Sequence, residues 1–190
     1  MQVLELKSGD LLFIQASTEK LSRLIAASTQ ADMNQSNYTH VALVKRQNGN
    51  YFVLHVAPEY GCVRQTLTFF LADHPKQAID VYRLTATKID FEQVITRAES
   101  LLGQPYNHSF IKDQPGYYCS EFICEVFKPA AIFHEQPMCF GSQQTILPAW
   151  HAYYQRLGLP IPVGQLGSSP NSLIKENVPQ NLAWLGRLRR

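Results

Sequence analysis

Two β-rich runs around Asn48-Gly49 constrain this 190-residue chain more than any other feature. The first is His40-Val41-Ala42-Leu43-Val44-Lys45-Arg46 and the second is Tyr51-Phe52-Val53-Leu54-His55-Val56. Asn-Gly is the strongest two-residue hairpin signal, because both residues tolerate positive φ. With the turn at Asn48 and Gly49, Gln47 faces Asn50, Arg46 faces Tyr51, Ala42 faces His55 and His40 faces Ala57. His40 and Ala42 are two apart and share a sheet face. His55 shares it too, as the partner of Ala42. The two histidines are then diagonal neighbours, with backbones roughly 7–8 Å apart. A slip of one residue would separate them onto opposite faces.

A second feature is Tyr117-Tyr118-Cys119-Ser120-Glu121-Phe122-Ile123. From Cys119 the apolar residues fall at Phe122, Ile123 and Val126, one face of a helix. Cys119 thus stands in a first turn, near free backbone N–H groups and the positive end of the helix dipole. Both favour thiolate, the reactive form of cysteine. Alone, such a cysteine reads as a packed core residue, and either histidine alone as a hydrogen-bonded strand residue. Together they supply a nucleophile, a base with near-neutral pKa and an orienter for that base. Glu121, at the third helical position, suits an N-terminal cap or the dipole.

The rest of the chain reads as α+β. Segments 11–15, 62–66 and 79–84 are expected strands. Segment 20–27 is an expected helix, with Leu21, Leu24 and Ile25 on one face. Asp90 opens another, with Gln93 three residues on, and Gly103 and Pro105 end it. Pro148 and Gly158 frame a helix at 149–157. Segment 28–37 is expected as a mobile loop over the site, 107–117 as a loop leading into the Cys119 helix, and 164–169 as a surface loop. A single domain over 1–190 is expected.

The net charge of +2 does not argue for nucleic acid or a membrane surface. Arg187, Arg189 and Arg190 cluster at the end, where a solvated terminus is expected. No apolar run reaches membrane-span length, and no secretory signal pattern opens the chain. A cytoplasmic protein is expected. Cys62, Cys119, Cys124 and Cys139 show neither zinc nor disulfide spacing, so no metal and no cofactor is expected, and four free thiols fit a reducing compartment.

On these residues the chain resembles the YiiX/YebB-like group of the NlpC/P60 superfamily, the circularly permuted papain-like cysteine hydrolases. Gly9-Asp10-Leu11-Leu12-Phe13 resembles the opening strand, and Tyr38-Thr39-His40-Val41-Ala42-Leu43-Val44 the base-bearing strand. Leu102-Gly103-Gln104-Pro105-Tyr106-Asn107 with Phe110 resembles the segment before the nucleophile. Tyr118-Cys119-Ser120-Glu121-Phe122 resembles the nucleophile motif, and Ser169-Pro170-Asn171-Ser172-Leu173 a late Ser/Thr-Pro-x-x-Leu element. The order His before Cys is the mark of the permutation.

The resemblance implies an antiparallel sheet packed against helices, with the nucleophile at a helix N-terminus. It implies Cys119 as nucleophile, His40 as base and His55 as third member. His55 stands where many bacterial members carry Glu and is similar to the lecithin retinol acyltransferase-like branch. Asn107 replaces the usual Asp. Tyr38, Tyr106, Tyr118 and Asn107 are the expected substrate contacts.

The expected activity is amide cleavage through an acyl-thioester, on cell-wall-type or γ-glutamyl peptides, with a resting thiolate–imidazolium pair. Acyl transfer or lipid hydrolysis is the alternative. A non-catalytic peptide- or lipid-binding module and a zinc site of Cys119, His40 and His55 are the rivals. The expected partner is a small-molecule, peptide or acyl-lipid substrate, with no nucleic acid and no integral membrane segment. Phe69, Phe70, Trp150, Tyr153 and Tyr154 are candidates to line an acyl groove, although at helical spacing they read as core.

Overall fold

The computed structural model describes residues 4–29, 36–86, 88–141 and 145–188. Its framework is a six-stranded antiparallel sheet of spatial order β4-β3-β2-β1-β5-β8. The strands are β1 (Leu11–Gln15), β2 (Tyr38–Gln47), β3 (Asn50–Ala57), β4 (Gly61–Thr66), β5 (Ile79–Leu84) and, after the short pair β6 (Gln136–Pro137) and β7 (Leu166–Gly167), β8 (Leu182–Arg187). The helices are α1 (Lys20–Thr29), α2 (Leu67–Asp73), α3 (Phe91–Ser100), α4 (Cys119–Val126), α5 (Pro148–Leu157) and α6 (Pro170–Asn177).

The hairpin forms in the expected register. Gln47 pairs with Asn50, Arg46 with Tyr51 and Leu43 with Leu54. Asn48 (φ 51°) and Gly49 (φ 78°) both adopt the positive φ that the tight turn demands. Alternation along β2 then divides the core. Val41 and Leu43 join Phe122, Ile123 and Val126 of α4 on one face, while Ala42 and Val44 join Phe70 of α2 on the other. Phe122, Ile123 and Val126 are fully buried, and each contributes about 1.5–3 kcal/mol of apolar burial. That anchoring presses the start of α4 against β2.

The segment leading into α4 is stitched on both sides. Cys62 N–H donates to Gln104 O (2.8 Å), Tyr117 N–H to Pro105 O (3.1 Å) and Asn107 N–H to Tyr117 O (3.0 Å). Gly61 (φ 66°) and Gly116 (φ 89°) back onto this segment so closely that a Cβ at either would strike the carbonyl oxygen of Gln104 or Pro105. Two buried carboxylates tie the far strands. Arg83 grips Asp10 through Nε (2.7 Å) and Nη2 (2.8 Å). Arg187 grips Asp80 through Nε (2.9 Å) and Nη2 (3.0 Å).

Several expectations change. The first helix continues to Thr29. Helix α2 was not foreseen: its apolar residues run consecutively, so they carry no helical period, and its signal is the cap, where Thr66 Oγ1 accepts from Phe69 N–H (3.2 Å). The surface loop expected at 164–169 contains β7 and contributes to the site. Arg187 is a strand residue bound to Asp80, not part of a solvated tail, and Arg189 and Arg190 lie outside the described residues. So does most of the loop expected over the site, 30–35.

Candidate active site

Cys119 opens α4. Tyr118 is the N-cap residue, and its backbone N–H donates to Glu121 Oε2 (3.2 Å), so of the two roles its position allowed, Glu121 takes the cap. Burial pushes the Glu121 carboxyl up to about 7. The thiol lies where β3 parts from β2. Ladder pairing between these strands ends at Leu43 and Leu54, which leaves the β2 backbone at Thr39 and Val41 open. Cys119 Sγ fills that gap, 3.9 Å from Thr39 O. The backbone N–H groups of Val41, Ser120 and Cys119 face the sulfur and favour thiolate, but burial outweighs them and pushes the thiol up to about 11.

The two histidines meet as the register requires, with His40 Nε2 and His55 Nδ1 3.0 Å apart. The tautomers follow from the chain of partners. Gln65 Nε2 donates to Asp73 Oδ2 (3.2 Å), so Gln65 Oε1 faces His55 Nε2 at 2.9 Å. An amide oxygen only accepts, so His55 Nε2 carries the proton. Burial lowers the His55 pKa to about 4, so the ring is neutral and its Nδ1 accepts from His40 Nε2–H. Burial and the neighbouring His55 and His74 also hold His40 well below its usual range. Its Nδ1 is then an unprotonated nitrogen without a hydrogen-bond partner among the described residues.

The ring of His40 stacks on His74 (5.8 Å) and tilts against Phe70 (6.3 Å), on the α2 side of the sheet. No hydrogen bond joins it to Cys119 among the described residues. The thiol instead touches the backbone on either side of His40. Burial pushes the thiol up and the imidazole down, which opposes the resting thiolate–imidazolium pair expected from the sequence: it disfavours both charges at once.

Cys119 lies on the wall of a cavity of about 490 Å³. Ile25, Phe110, Met138, Phe140 and Trp150 give one side an apolar, largely aromatic surface, and Ser168, Ser169, Asn171, Lys175 and Glu176 give another a polar one. Tyr106 and Tyr118 line the cavity. Tyr118 Oη accepts from Ser168 N–H (3.0 Å), which fastens the β7 end to the nucleophile helix. Tyr38 and Asn107 are not on the wall. The Tyr38 hydroxyl is turned to Asp80 Oδ2 (2.9 Å), and Asn107 is buried with its oxygen on Ser109 and its amide on Ile111 O. Both shape the scaffold.

Of the aromatic candidates, Trp150 lines the cavity, Phe70 supports the histidines, Tyr154 is core and Phe69 is exposed. The late Ser-Pro-Asn-Ser-Leu motif explains itself. Ser169 caps α6, and Asn171 accepts from Tyr38 N–H (2.8 Å) while donating to Thr29 Oγ1 (2.9 Å). It closes the cavity by tying α6 to α1 and β2.

A zinc site of Cys119, His40 and His55 does not fit this geometry. The imidazoles point their facing nitrogens at each other, and the thiol approaches from the other side of the sheet. Among the described residues no group of three or more His, Cys, Asp or Glu is placed to hold a metal ion. Nor, among them, is any helix long and apolar enough to cross a membrane.

An antiparallel sheet with a helix-opening thiol set against a histidine-bearing strand earlier in the chain defines a permuted papain-like protein. Residues 5–179 match the C92 family of permuted papain-like amidases, the YaeF/YiiX group, and the chain belongs to that family. Its fold is similar to the crystal structure of the metalloprotein YiiX from Escherichia coli O157:H7, with a TM-score of 0.76, 23% identity, and coverage of 97% of this chain and 98% of that one. No curated protein matches the chain.

Proposed function

We propose that the chain is a thiol-dependent amide hydrolase in which Cys119 attacks the carbonyl, His40 is the base and His55 holds His40 in its working tautomer. The observation that carries this reading is the pairing of a cavity-wall thiol, ringed by three backbone N–H groups, with a histidine relay whose free nitrogen is the unprotonated Nδ1 of His40. A neutral base accepts the proton of a neutral thiol during attack, not before it. Because the His40 ring packs on the α2 side and the thiol on the α4 side, the proposed transfer runs through the gap at Thr39 and Val41 by way of a bridging water.

The sulfur bonds to the carbonyl carbon, and the oxyanion is held at the start of α4 by backbone N–H groups. His40, now protonated, gives that proton to the leaving nitrogen as the C–N bond breaks. Water then hydrolyses the thioester, with His40 again as base. Cell-wall-type and γ-glutamyl peptides are the first substrates to assay. Cys119→Ala and His40→Ala are both expected to lower kcat/KM by at least ~10²-fold, and His55→Ala to leave a residual activity. Full activity in the Cys119→Ala protein would overturn the reading.

The apolar side of the cavity favours a second reading, transfer of an acyl group from Cys119 to an acceptor other than water. Product analysis in the presence of a primary amine acceptor distinguishes the two.

A further inference from the structure

His74 ends α2 as its C-cap residue, outside the cavity wall. Its backbone N–H donates to Leu71 O (3.3 Å), and its ring Nδ1 lies 2.7 Å from Phe70 O. A carbonyl oxygen only accepts, so that Nδ1 carries the proton. Backbone and ring are thus both tied to the last turn of α2. The ring lies nearly parallel to that of His40, with centroids 5.8 Å apart and planes 13° from one another, an offset-stacked arrangement. Phe70 is the floor under all three histidines, 6.3 Å from His40, 5.0 Å from His55 and 4.5 Å from His74, and it is fully buried.

The need for such a support follows from the imidazole itself. The torsion that turns a histidine ring about its Cβ–Cγ bond is broad, without sharp staggered wells. The hydrogen bond from His40 Nε2 to His55 Nδ1 (3.0 Å) fixes one atom of the ring and leaves its plane to swing about that point. Such a bond weakens steeply as its angle falls toward about 120°, so an unsupported swing loses His55. A parallel ring across the face stops the swing, because a turn drives an edge of His40 into it.

We infer that His74 is a positioning residue for the base: anchored on the end of α2, its ring backs the face of His40 and holds the plane in which Nε2 meets His55 and Nδ1 stays free. No hydrogen bond joins His74 to Cys119 among the described residues, and it acts through His40 alone. The same neighbour opposes positive charge on the base: after burial and His55, it is the third cause that holds His40 below its usual range. Helix α2 thereby gains a purpose, which is to bring Phe70 and its cap residue against the histidine pair. The inference deepens the proposed function and rests on His40 being the base in it.

The test reads the His40–His55 hydrogen bond directly, by NMR of the intact protein labelled with 15N-histidine at neutral pH. The wild type is expected to show a slowly exchanging ring N–H signal for His40 Nε2, assigned by its loss in His40→Gln. Three variants separate support from capping. His74→Ala removes both ring and cap, His74→Gln keeps a side-chain N–H donor for the Phe70 carbonyl without a ring, and His74→Phe keeps a ring without the donor. Solvent exchange of the His40 N–H is expected to quicken roughly fivefold to tenfold in the Ala and Gln variants, and His74→Phe to restore the wild-type rate. A wild-type rate in His74→Gln overturns the inference, and so does a His74→Phe protein that exchanges as fast as His74→Gln, which would make His74 a helix cap only. Either result leaves the base assignment standing. That assignment falls only to the activity of the Cys119→Ala and His40→Ala proteins, and its fall leaves the exchange rates untouched.

Discussion

Cys119 and His40 each titrate away from neutrality, and in opposite directions. The thiol at about 11 predicts that iodoacetamide labelling of Cys119 in the ligand-free protein climbs steadily above pH 8 and has no plateau below it. A labelling midpoint near or below pH 7 would show a resting ion pair instead. Glu121 makes a second residue-scale prediction. Its folded pKa of about 7, against 4.5 for an ordinary Glu, means that the folded state binds the proton more tightly, so stability is lost as pH rises through 7. Glu121→Gln keeps an acceptor at the cap and removes the charge. Chemical denaturation should find it more stable than wild type by on the order of 1 kcal/mol at pH 8 and unchanged at pH 4. The histidine contact was legible in the sequence because 15 residues and a two-residue turn set it. The fate of Tyr38 was not, since its hydroxyl partner Asp80 lies 42 residues away on another strand.

Among the elements, α4 and the segment before it decide where the thiol stands. Gly116 holds a φ of 89° with its back to Pro105. Gly116→Ala must strain the backbone and displace that carbonyl, with an expected loss of about 2–4 kcal/mol and a thiol moved off the β2 edge. Denaturant unfolding and Cys119 labelling measure the two effects separately. The strands and the helices α1, α3 and α5 were readable from their apolar period and framing residues, and α3 also from its cap, where Asp90 accepts from Gln93 N–H (3.0 Å). Strand β8 was not. Trp184, Gly186 and Arg187 give it no clean alternation, and what fixes it is pairing with β5 and the Asp80 grip. The widening between β2 and β3 that receives Cys119 was equally hidden. It depends on a ladder stopping at Leu43 and Leu54, and both runs continue as good β sequence beyond that point.

Across the whole molecule the buried histidines set a pH limit. His55 has a folded pKa of about 4 against 6.5 unfolded. The unfolded chain therefore binds more protons as pH falls from 6.5 to 4, and up to about 3 kcal/mol of stability is lost over that window. His40 acts in the same direction, and Glu121 opposes it in part. Denaturation curves at pH 7, 5 and 4 should show His55→Gln losing less on acidification than wild type. The fold class was legible, and so was the meeting of the two histidines, but the cavity was not, because its walls come from segments more than a hundred residues apart.

The distribution of the site along the chain also orders events in time. The histidine relay closes within one hairpin, the kind of local contact that forms on the microsecond scale. The thiol lies 79 positions after His40, and the wall carrying Ser168 and Glu176 comes about fifty positions later still. During synthesis the relay can be assembled long before the sulfur exists, and the sulfur before anything encloses it. Until α6 docks, the cavity beside the nucleophile lacks that wall, and the thiol is more open there to oxidation and alkylation.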